Sequence, residues 1–431
     1  MQQPELSSSN QSRLWHPYTR FSAQADMPLI VRGEGIYLYD KQGRKFIDAV
    51  SSWWACALGH GHRRIIDAIR RQTESLQHSI LGNLSHPPAV DLAARLAELM
   101  PSPNRHVLFS SDGASAVEAS LKIALQYFHN TDRPERTRFA YLQNAYHGDT
   151  LGAVSVGYLE QFHKPFESIL FTAFRVPVPV RAEQENACFE ATARLFAEHG
   201  HEIAGLIVEP LCQGAAGMRM YSAAYLKRLA DLCKAHELLL IDDEIAMGFG
   251  RTGRMFAFEH AGIDPDMVCV GKALSAGYLP ISAVIVKNGI YDTFSDQPED
   301  HTFYHGHTFS GNPLCAAASI EALKIYSGER IADKAVALEA TMRRELSALN
   351  GHPLVLDARF LGAIGVIELA HAAEGRPTPA RIVREALFRK GILIRPLGNV
   401  VYLMPPLITT EEEMKIICSE LIAAVRAATQ H

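Results

Sequence analysis

The sequence lacks several patterns, and each absence excludes a class of protein. Its 7 cysteines, an odd number, include no Cys-x-x-Cys pair, so we expect reduced thiols in a cytoplasmic protein rather than a disulfide framework. No apolar run approaches the roughly 20 residues of a membrane helix, and residues 1–12 lack the apolar core of a signal peptide. The net charge of −5 and the absence of a basic run argue against nucleic-acid binding.

Zinc-ligand spacing is missing as well. The 19 histidines include no His-Glu-x-x-His motif, so we predict no metal site. What is present is an ordinary globular composition, 48% hydrophobic and 21% charged. A chain of 431 residues exceeds one simple core, so we expect two domains, or a large domain with a smaller one appended.

Short apolar runs alternate with helical patterns through the middle of the chain. We predict strands at residues 106–109, 139–142, 205–209, 238–242, 268–270 and 281–286, and helices at 114–128 and 223–235. This alternation predicts an α/β fold with a mostly parallel sheet covered on both faces. Ligands of such folds bind beyond the carboxyl ends of the strands. The chain ends differ, because residues 30–50 carry hairpin signals and a long charged helix begins near residue 331.

The most informative residue is Lys272, which follows the apolar strand 268–270. Asp243 closely follows another predicted strand, 238–242. A lysine amine can form a Schiff base with the aldehyde of pyridoxal phosphate, and a carboxylate can keep the pyridine nitrogen protonated so that the ring accepts electrons. The pair therefore indicates a pyridoxal phosphate site. A solvated strand end or a divalent-metal site is the alternative for the three consecutive acids at 242–244.

Other loops suit a phosphate, a planar ring and a carboxylate. Gly113 and Ala114 join a strand to a helix, where backbone N–H groups can bind a phosphate; a capped helix start is the alternative. The ring of Tyr146 could stack on a cofactor, although its segment could also be a plain loop. Thr308 could donate a hydroxyl to a phosphate, and Arg395 could hold a carboxylate. A turn-rich loop and a surface arginine are the respective alternatives.

One motif points to a different chemistry. Residues 248–253, Gly-Phe-Gly-Arg-Thr-Gly, match the dinucleotide pattern G-x-G-x-x-G of a nicotinamide-dependent dehydrogenase. The acidic residues separate this motif from the preceding strand, and the residues after it do not open a clean helix. Its context therefore argues against nicotinamide binding.

In this order along the chain, the segments resemble the class III pyridoxal-phosphate aminotransferases of fold type I. The runs 14–19, 51–55, 214–221, 248–253 and 402–406 resemble one member of that family more specifically. The family resemblance spans about residues 15–406. It implies that Lys272 holds the cofactor and moves the substrate proton, that Asp243 pairs with the pyridine nitrogen, and that Tyr18 belongs to the catalytic set. It also implies cofactor contacts from Gly113, Ala114, Tyr146 and the Thr308 of a partner subunit, and a substrate site lined by Tyr18, Trp53, Tyr146, Asp149, Arg251, Gly306, Arg395 and Tyr402.

The resemblance also implies an organisation and a substrate class. A large cofactor-binding domain would span residues 61–329, and residues 1–60 and 330–431 would form a smaller α+β domain. The active site would lie at the interface of a homodimer and accept 8-amino-7-oxononanoate, with S-adenosylmethionine as the expected amino donor and lysine as the alternative. Ala114, Met247 and His307 replace the serine, threonine and proline common in the family, without removing a catalytic group. Transamination of another ω-amine such as ornithine or 4-aminobutyrate, an aminomutase and a non-catalytic binding protein are the alternatives.

Overall fold

The computed structural model describes residues 13–20, 27–372 and 377–429. The strands are β1 (Ile30–Glu34), β2 (Tyr37–Asp40), β3 (Lys45–Asp48), β4 (Arg105–Ser110), β5 (Arg138–Leu142), β6 (Phe174–Val176), β7 (Ile203–Val208), β8 (Cys212–Gln213), β9 (Arg219–Met220), β10 (Leu239–Asp243), β11 (Met267–Val270), β12 (Ser282–Lys287), β13 (Val355–Leu361), β14 (Ile364–Leu369), β15 (Ile392–Leu393) and β16 (Val400–Leu403). The helices are α1 (Ser51–Trp54), α2 (Arg63–Ser75), α3 (Pro87–Glu98), α4 (Gly113–Asn130), α5 (Leu151–Ser155), α6 (Glu160–His163), α7 (Glu185–His199), α8 (Ala223–Ala235), α9 (Asn288–Tyr291), α10 (Pro313–Gly328), α11 (Ile331–Leu346), α12 (Pro379–Arg389) and α13 (Glu411–Ala428).

A seven-stranded sheet forms the centre of the molecule, in the order β4-β12-β11-β10-β7-β5-β6. The pairs from β11 to β6 are parallel, which confirms the predicted α/β fold. Strand β12 runs antiparallel to both of its neighbours, a reversal that was not predicted. Its cause is the short connection after β11, which contains only the 3₁₀ turn Lys272–Ser275. A parallel crossover needs about a dozen residues or more, usually with a helix.

Burial of the central strands explains their apolar sequences. Every residue of β7 and β11 is buried, so neither strand shows an alternating pattern. Helix α4 packs against β4, β11 and β12, and α8 packs against β10. Within the described ranges, no helix is both long and apolar enough to span a membrane.

The two ends of the chain share a small sheet, in the order β1-β2-β3-β15. Strand β15 lies parallel to β3, with Ile392 opposite Ile47 and Leu393 opposite Asp48. A separate antiparallel sheet contains β13, β14 and β16. The C-terminal segment therefore packs on the N-terminal hairpins, while the division at residues 61 and 330 stays a prediction.

The turn α1 has left-handed backbone geometry. Its residues Ser51, Ser52, Trp53 and Trp54 have φ values of 50°, 45°, 69° and 72°. Left-handed geometry costs about 1–2 kcal/mol for each L-residue, so distant contacts must stabilise the turn. Asp48 accepts hydrogen bonds from the Ser52 backbone N–H at 2.9 Å and from its hydroxyl at 2.7 Å. The Ser51 hydroxyl donates to the backbone carbonyl of residue 404 at 2.7 Å.

Candidate active site

A cavity of about 420 Å³ lies where the carboxyl ends of β5, β7, β10 and β11 meet. Six predicted site residues line it, namely Gly113, Ala114, Tyr146, Asp149, Asp243 and Lys272. Parallel strands present their carboxyl ends at one edge of a sheet, which is why residues far apart in sequence meet here. The structure thus brings the predicted cofactor-binding residues together, apart from Thr308.

Lys272 lies directly after β11, in the wall of the cavity. Burial lowers the pKa of its amine, and the carboxylates of Asp243 and Glu209 oppose that shift. Its Nζ lies 5.2 Å from the centroid of the Trp54 ring. Its backbone has a φ of 40°, which is uncommon for a residue other than glycine. A buried lysine that loses its proton readily can act as a nucleophile and as a base.

Asp243 ends β10 and is held from two sides. Its Oδ2 lies 2.6 Å from His147 Nδ1, and its Oδ1 accepts the Ile245 backbone N–H at 3.1 Å. Both Asp243 and His147 are buried. A fixed, buried carboxylate is suited to a protonated ring nitrogen. His147 had no predicted role, although it is the residue after Tyr146 in a predicted site loop.

The N-terminus of α4 opens into the same cavity. Asp112 caps the helix by accepting the Ser115 backbone N–H at 3.0 Å, so the predicted cap exists. Gly113 and Ala114 in the first turn line the cavity beside it. A Cβ on Gly148, whose φ is +128°, would collide with Ala114, so this loop approaches the helix closely. A helix N-terminus of this kind suits a phosphate, and with Lys272 it fits the predicted cofactor.

Glu209 is a site residue that was not predicted. It follows β7, lines the cavity, and burial raises the pKa of its carboxyl to about 7. Its two oxygens accept the backbone N–H groups of Tyr146 at 3.0 Å and Gly214 at 2.9 Å. The signal that identified Asp243, an acid at the end of an apolar strand, was also present at Glu209.

Five predicted side chains form a cluster at the outer part of the site: Tyr18, Trp53, Tyr146, Asp149 and Arg395. Asp149 accepts hydrogen bonds from the hydroxyls of Tyr18 and Tyr146, the latter at 3.0 Å. Tyr18 meets Trp53 edge-on, with ring centroids 5.5 Å apart. The Arg395 guanidinium lies 4.1 Å from the centroid of the Trp53 ring and donates to the Tyr18 carbonyl at 3.3 Å. Burial and Asp149 together raise the pKa of Tyr18 to about 12.

A second cavity, of about 1220 Å³, includes Tyr18 and Arg395 in its wall. It extends past the loop at residues 215–217 to helix α12, and its wall also contains Arg219 and Arg384. Tyr18 and Arg395 therefore lie between this wide opening and the residues that surround Lys272. This position suits side chains that orient a substrate.

Arg251 and Tyr402 were predicted to line the substrate site; the structure buries both side chains, and their contact with a substrate stays a prediction. Arg251 is 1% exposed and donates to the Pro405 carbonyl at 2.6 Å and to the Ser51 hydroxyl at 3.4 Å. Tyr402 is also 1% exposed, and its hydroxyl accepts the indole N–H of Trp54 at 3.1 Å. Neither lines a cavity described above. Both instead support the turn α1, because their polar groups are already engaged with it or with the chain next to it.

Gly306 and Thr308 lie in an exposed loop and line neither cavity. The same loop exposes the side chains of Tyr304 and Phe309, which are 79% and 62% accessible. Its contact with the cofactor region is made by His307, whose Nδ1 lies 3.4 Å from the Ser111 hydroxyl. The chain by itself does not bring Thr308 to a phosphate, and its role in a partner's site stays a prediction.

The competing motifs do not form sites of their own. Within the described ranges, no group of three His, Cys, Asp or Glu side chains could hold a metal ion. Burial raises the pKa values of Asp242 and Glu244 well above normal, and repulsion from Asp243 on Asp242 and from Asp242 on Glu244 adds to the shifts, so these acids favour neutral forms. The glycine motif at residues 248–253 is followed by the 3₁₀ turn Ala257–His260 rather than an α-helix, and so lacks the helix N-terminus that a dinucleotide needs.

Comparisons with known proteins agree with this geometry. The model of the family "Aminotransferase class-III" matches residues 21–425. A curated relative from Synechococcus elongatus, adenosylmethionine-8-amino-7-oxononanoate aminotransferase, is 42% identical over 93% of this chain and 96% of its own. The crystal structure of the enzyme of that name from Methanocaldococcus jannaschii is 36% identical and superposes with a TM-score of 0.91, covering 96% of this chain and 97% of the other. A PLP-bound amine transaminase from an uncultivated Pseudomonas species is 31% identical, with a TM-score of 0.92, covering 97% and 100%.

The fold and the site define a pyridoxal-phosphate-dependent transferase of fold type I. Within that class, the chain belongs to the class III aminotransferase family. The predicted fold, enzyme class and cofactor are thereby confirmed.

Proposed function

We propose that this protein transfers an amino group to 8-amino-7-oxononanoate, giving 7,8-diaminononanoate, with S-adenosylmethionine as the donor. The observation that carries the proposal is the cluster of Trp53, Tyr18 and Arg395 outside the Lys272 cavity. The curated relatives whose name states this activity are 36–42% identical over nearly the whole chain, which supports the same assignment. The reaction would belong to biotin synthesis.

The residues of the chain divide the chemistry among them. Pyridoxal phosphate, when bound, supplies an aldehyde that carries the amino group and a ring that accepts electrons. Lys272 would hold the aldehyde and, once released, move the proton at the substrate carbon that bears nitrogen. Asp243 would keep the pyridine nitrogen protonated, and Tyr146 would cover the ring. Gly113 and Ala114 would bind the phosphate through backbone N–H groups.

Substrate orientation would depend on the outer cluster. Arg395 can pair with the substrate carboxylate, since an arginine fork matches that group. Trp53, which lies under the guanidinium, would provide an apolar wall for a hydrocarbon chain. Donor and acceptor would use the same cavity in turn, so we expect ping-pong kinetics.

We also propose a cytoplasmic homodimer in which Thr308 of one subunit reaches the phosphate of the other. Exposed apolar side chains support an interface there: Phe309 and Tyr304 are exposed in the loop, and Phe309 packs against His78 of the segment after α2, which also exposes Ile80 and Leu84. Sedimentation velocity should give the mass of two chains. Phe309→Asp should shift the mass toward one chain, and an unchanged mass would contradict this placement.

The test of function is an assay with 8-amino-7-oxononanoate and each donor, S-adenosylmethionine or lysine, in turn. We expect formation of the diamine with the wild type, and loss of both activity and the cofactor's lysine-bound absorbance in Lys272→Ala. Arg395→Lys should raise KM for the acceptor far more than it lowers kcat. Failure with both donors, together with turnover of simple ω-amines, would assign the chain to another class III activity.

A further inference from the structure

The wide cavity beside Tyr18 and Arg395, of about 1220 Å³, has a strongly basic wall. Among the described residues that line it, seven are arginines and three are glutamates. The whole chain has a net charge of −5, so this excess of positive charge is local. A concave surface that carries charge of one sign focuses the electric field and raises the local concentration of oppositely charged ligands.

The three glutamates of this wall share one property, since each already has a cationic partner. The ion pairs, with nitrogen–oxygen distances of 2.8–2.9 Å, are Lys164–Glu160, Arg359–Glu368 and Arg381–Glu385. Arg359 also donates to the backbone carbonyls of residues 217 and 218, at 2.7 Å and 2.8 Å, so it fixes that loop. The acids of the wall therefore do not neutralise its remaining arginines.

Three of the remaining arginines, Arg219, Arg384 and Arg389, form what we call the arginine rim. All three are exposed, and within the described ranges none of them forms an ion pair. Arg384 and Arg389 lie on the cavity side of α12, whose opposite side is buried against α13 and β15. Arg219 lies in β9, which pairs with β8. The rim therefore presents its charges from anchored elements of secondary structure.

The arginine rim lies on the outer side of the cluster that contains Tyr18 and Arg395. The proposed acceptor, 8-amino-7-oxononanoate, carries its ketone beside an ammonium group at one end and its carboxylate at the other. Since the ketone has to reach Lys272, the carboxylate must point toward Arg395 and the rim. The reverse orientation would place the ammonium group among arginines. Both candidate donors carry more positive than negative groups at neutral pH, so the rim does not attract them.

We propose that the arginine rim draws in the acceptor by its carboxylate and orients it with the ketone toward Lys272. Arg219, Arg384 and Arg389 act through the electric field rather than by contact with the reacting atoms, so they are positioning residues. The identity of the ligand rests on the proposed function, whereas the attraction of a carboxylate does not. A unit charge about 10 Å away in water-like surroundings changes the affinity for an anion about twofold.

The first test uses a carboxylate that cannot be transaminated. Binding of hexanoate to the holoenzyme would be measured by titration calorimetry, with 1-hexanol as the uncharged probe. The variants are Arg219→Gln, Arg384→Gln and their combination. The control is Arg194→Gln, because Arg194 on α7 is exposed, forms no ion pair within the described ranges and lines neither cavity.

The effect should be largest at low salt. At an ionic strength of about 0.01 M, where the screening length is about 30 Å, the Kd for hexanoate should rise about twofold in each single variant and about fourfold in the double variant. At about 1 M, where the screening length is about 3 Å, the differences should disappear. Arg194→Gln and the 1-hexanol titrations should show no change. Undetectable hexanoate binding to the wild type, an unchanged Kd in the double variant, or an equal rise for 1-hexanol would overturn the proposal.

Steady-state kinetics then test the consequence for the two substrates. In the double variant at low salt, KM for the acceptor should rise about fourfold, while kcat changes little and KM for the donor does not rise. A damaged fold would instead raise both KM values or lower kcat, and an equal rise of both KM values would refute selective attraction of the acceptor. The hexanoate result involves no amino transfer, so it distinguishes failure of the rim from failure of the proposed function.

Discussion

The ion pair between His60 and Asp48, in which Nε2 lies 2.9 Å from Oδ2, predicts a pH-dependent contribution to stability. The pKa of His60 rises from 6.5 to about 9 in the folded protein. Complete coupling of this shift to folding corresponds to at most about 3 kcal/mol. The ring is 13% exposed and its neighbour Cys56 is half-buried, so solvent screening should reduce the contribution to about 1–2 kcal/mol. His60→Gln removes this contribution while leaving a side chain that can hydrogen-bond to Asp48.

The sign of the effect follows from proton linkage. Because the folded pKa is the higher one, the contribution is complete below about pH 6.5 and disappears as the pH rises through about 9. Urea denaturation, followed from pH 6 to pH 10, should show the wild type more stable than His60→Gln at pH 6. The urea concentrations at which the wild type and His60→Gln are half unfolded should become equal near pH 10. A difference that stays constant across this range would refute the ion-pair account and indicate lost packing instead.

Three further variants test other parts of the site. Glu209→Gln leaves one acceptor where two backbone N–H groups need one each, so pyridoxal phosphate affinity should fall roughly fivefold in a binding titration, for about 1 kcal/mol lost; unchanged affinity would contradict this role. Tyr402→Phe leaves the indole N–H of Trp54 buried without an acceptor and should lower stability by about 1–3 kcal/mol, whereas the exposed Tyr304→Phe should not. Asp149→Asn weakens the acceptor for two tyrosine hydroxyls, and acceptor KM should rise in steady-state kinetics while the absorbance of bound cofactor stays normal.

Much of the geometry of the candidate site could be predicted because its residues follow apolar strands. Lys272 and Asp243 lie at the ends of β11 and β10, and a parallel sheet brings such positions together wherever they occur in sequence. Glu209 is likewise an acidic residue directly after an apolar strand, β7, and it was overlooked. Its contacts with the backbone N–H groups of two loops have no counterpart in the sequence pattern. The reversal of β12 depends on the length of one connection rather than on the composition of the strand.

The contacts that stabilise the turn α1 could not be predicted from the sequence. Arg251 and Tyr402 were assigned to the substrate site by resemblance to the family. Their burial and their bonds to the Pro405 carbonyl and to Trp54 became apparent only from the packing of the C-terminal strands on α1. The left-handed turn itself contains no glycine, which is the residue that would have signalled positive φ.

The geometry of α1 limits how the paired tryptophans can be transplanted. No residue in Ser-Ser-Trp-Trp favours a left-handed backbone by itself, so the handedness belongs to its partners, Asp48 and the carbonyl of residue 404. The four residues alone therefore do not determine the left-handed geometry. In a related scaffold without those partners, we expect the same four residues to adopt negative φ values. The two tryptophan side chains would then have a different orientation. Any substitution that aims to change the orientation of Trp53 has to treat these partner groups and the tryptophan as one unit.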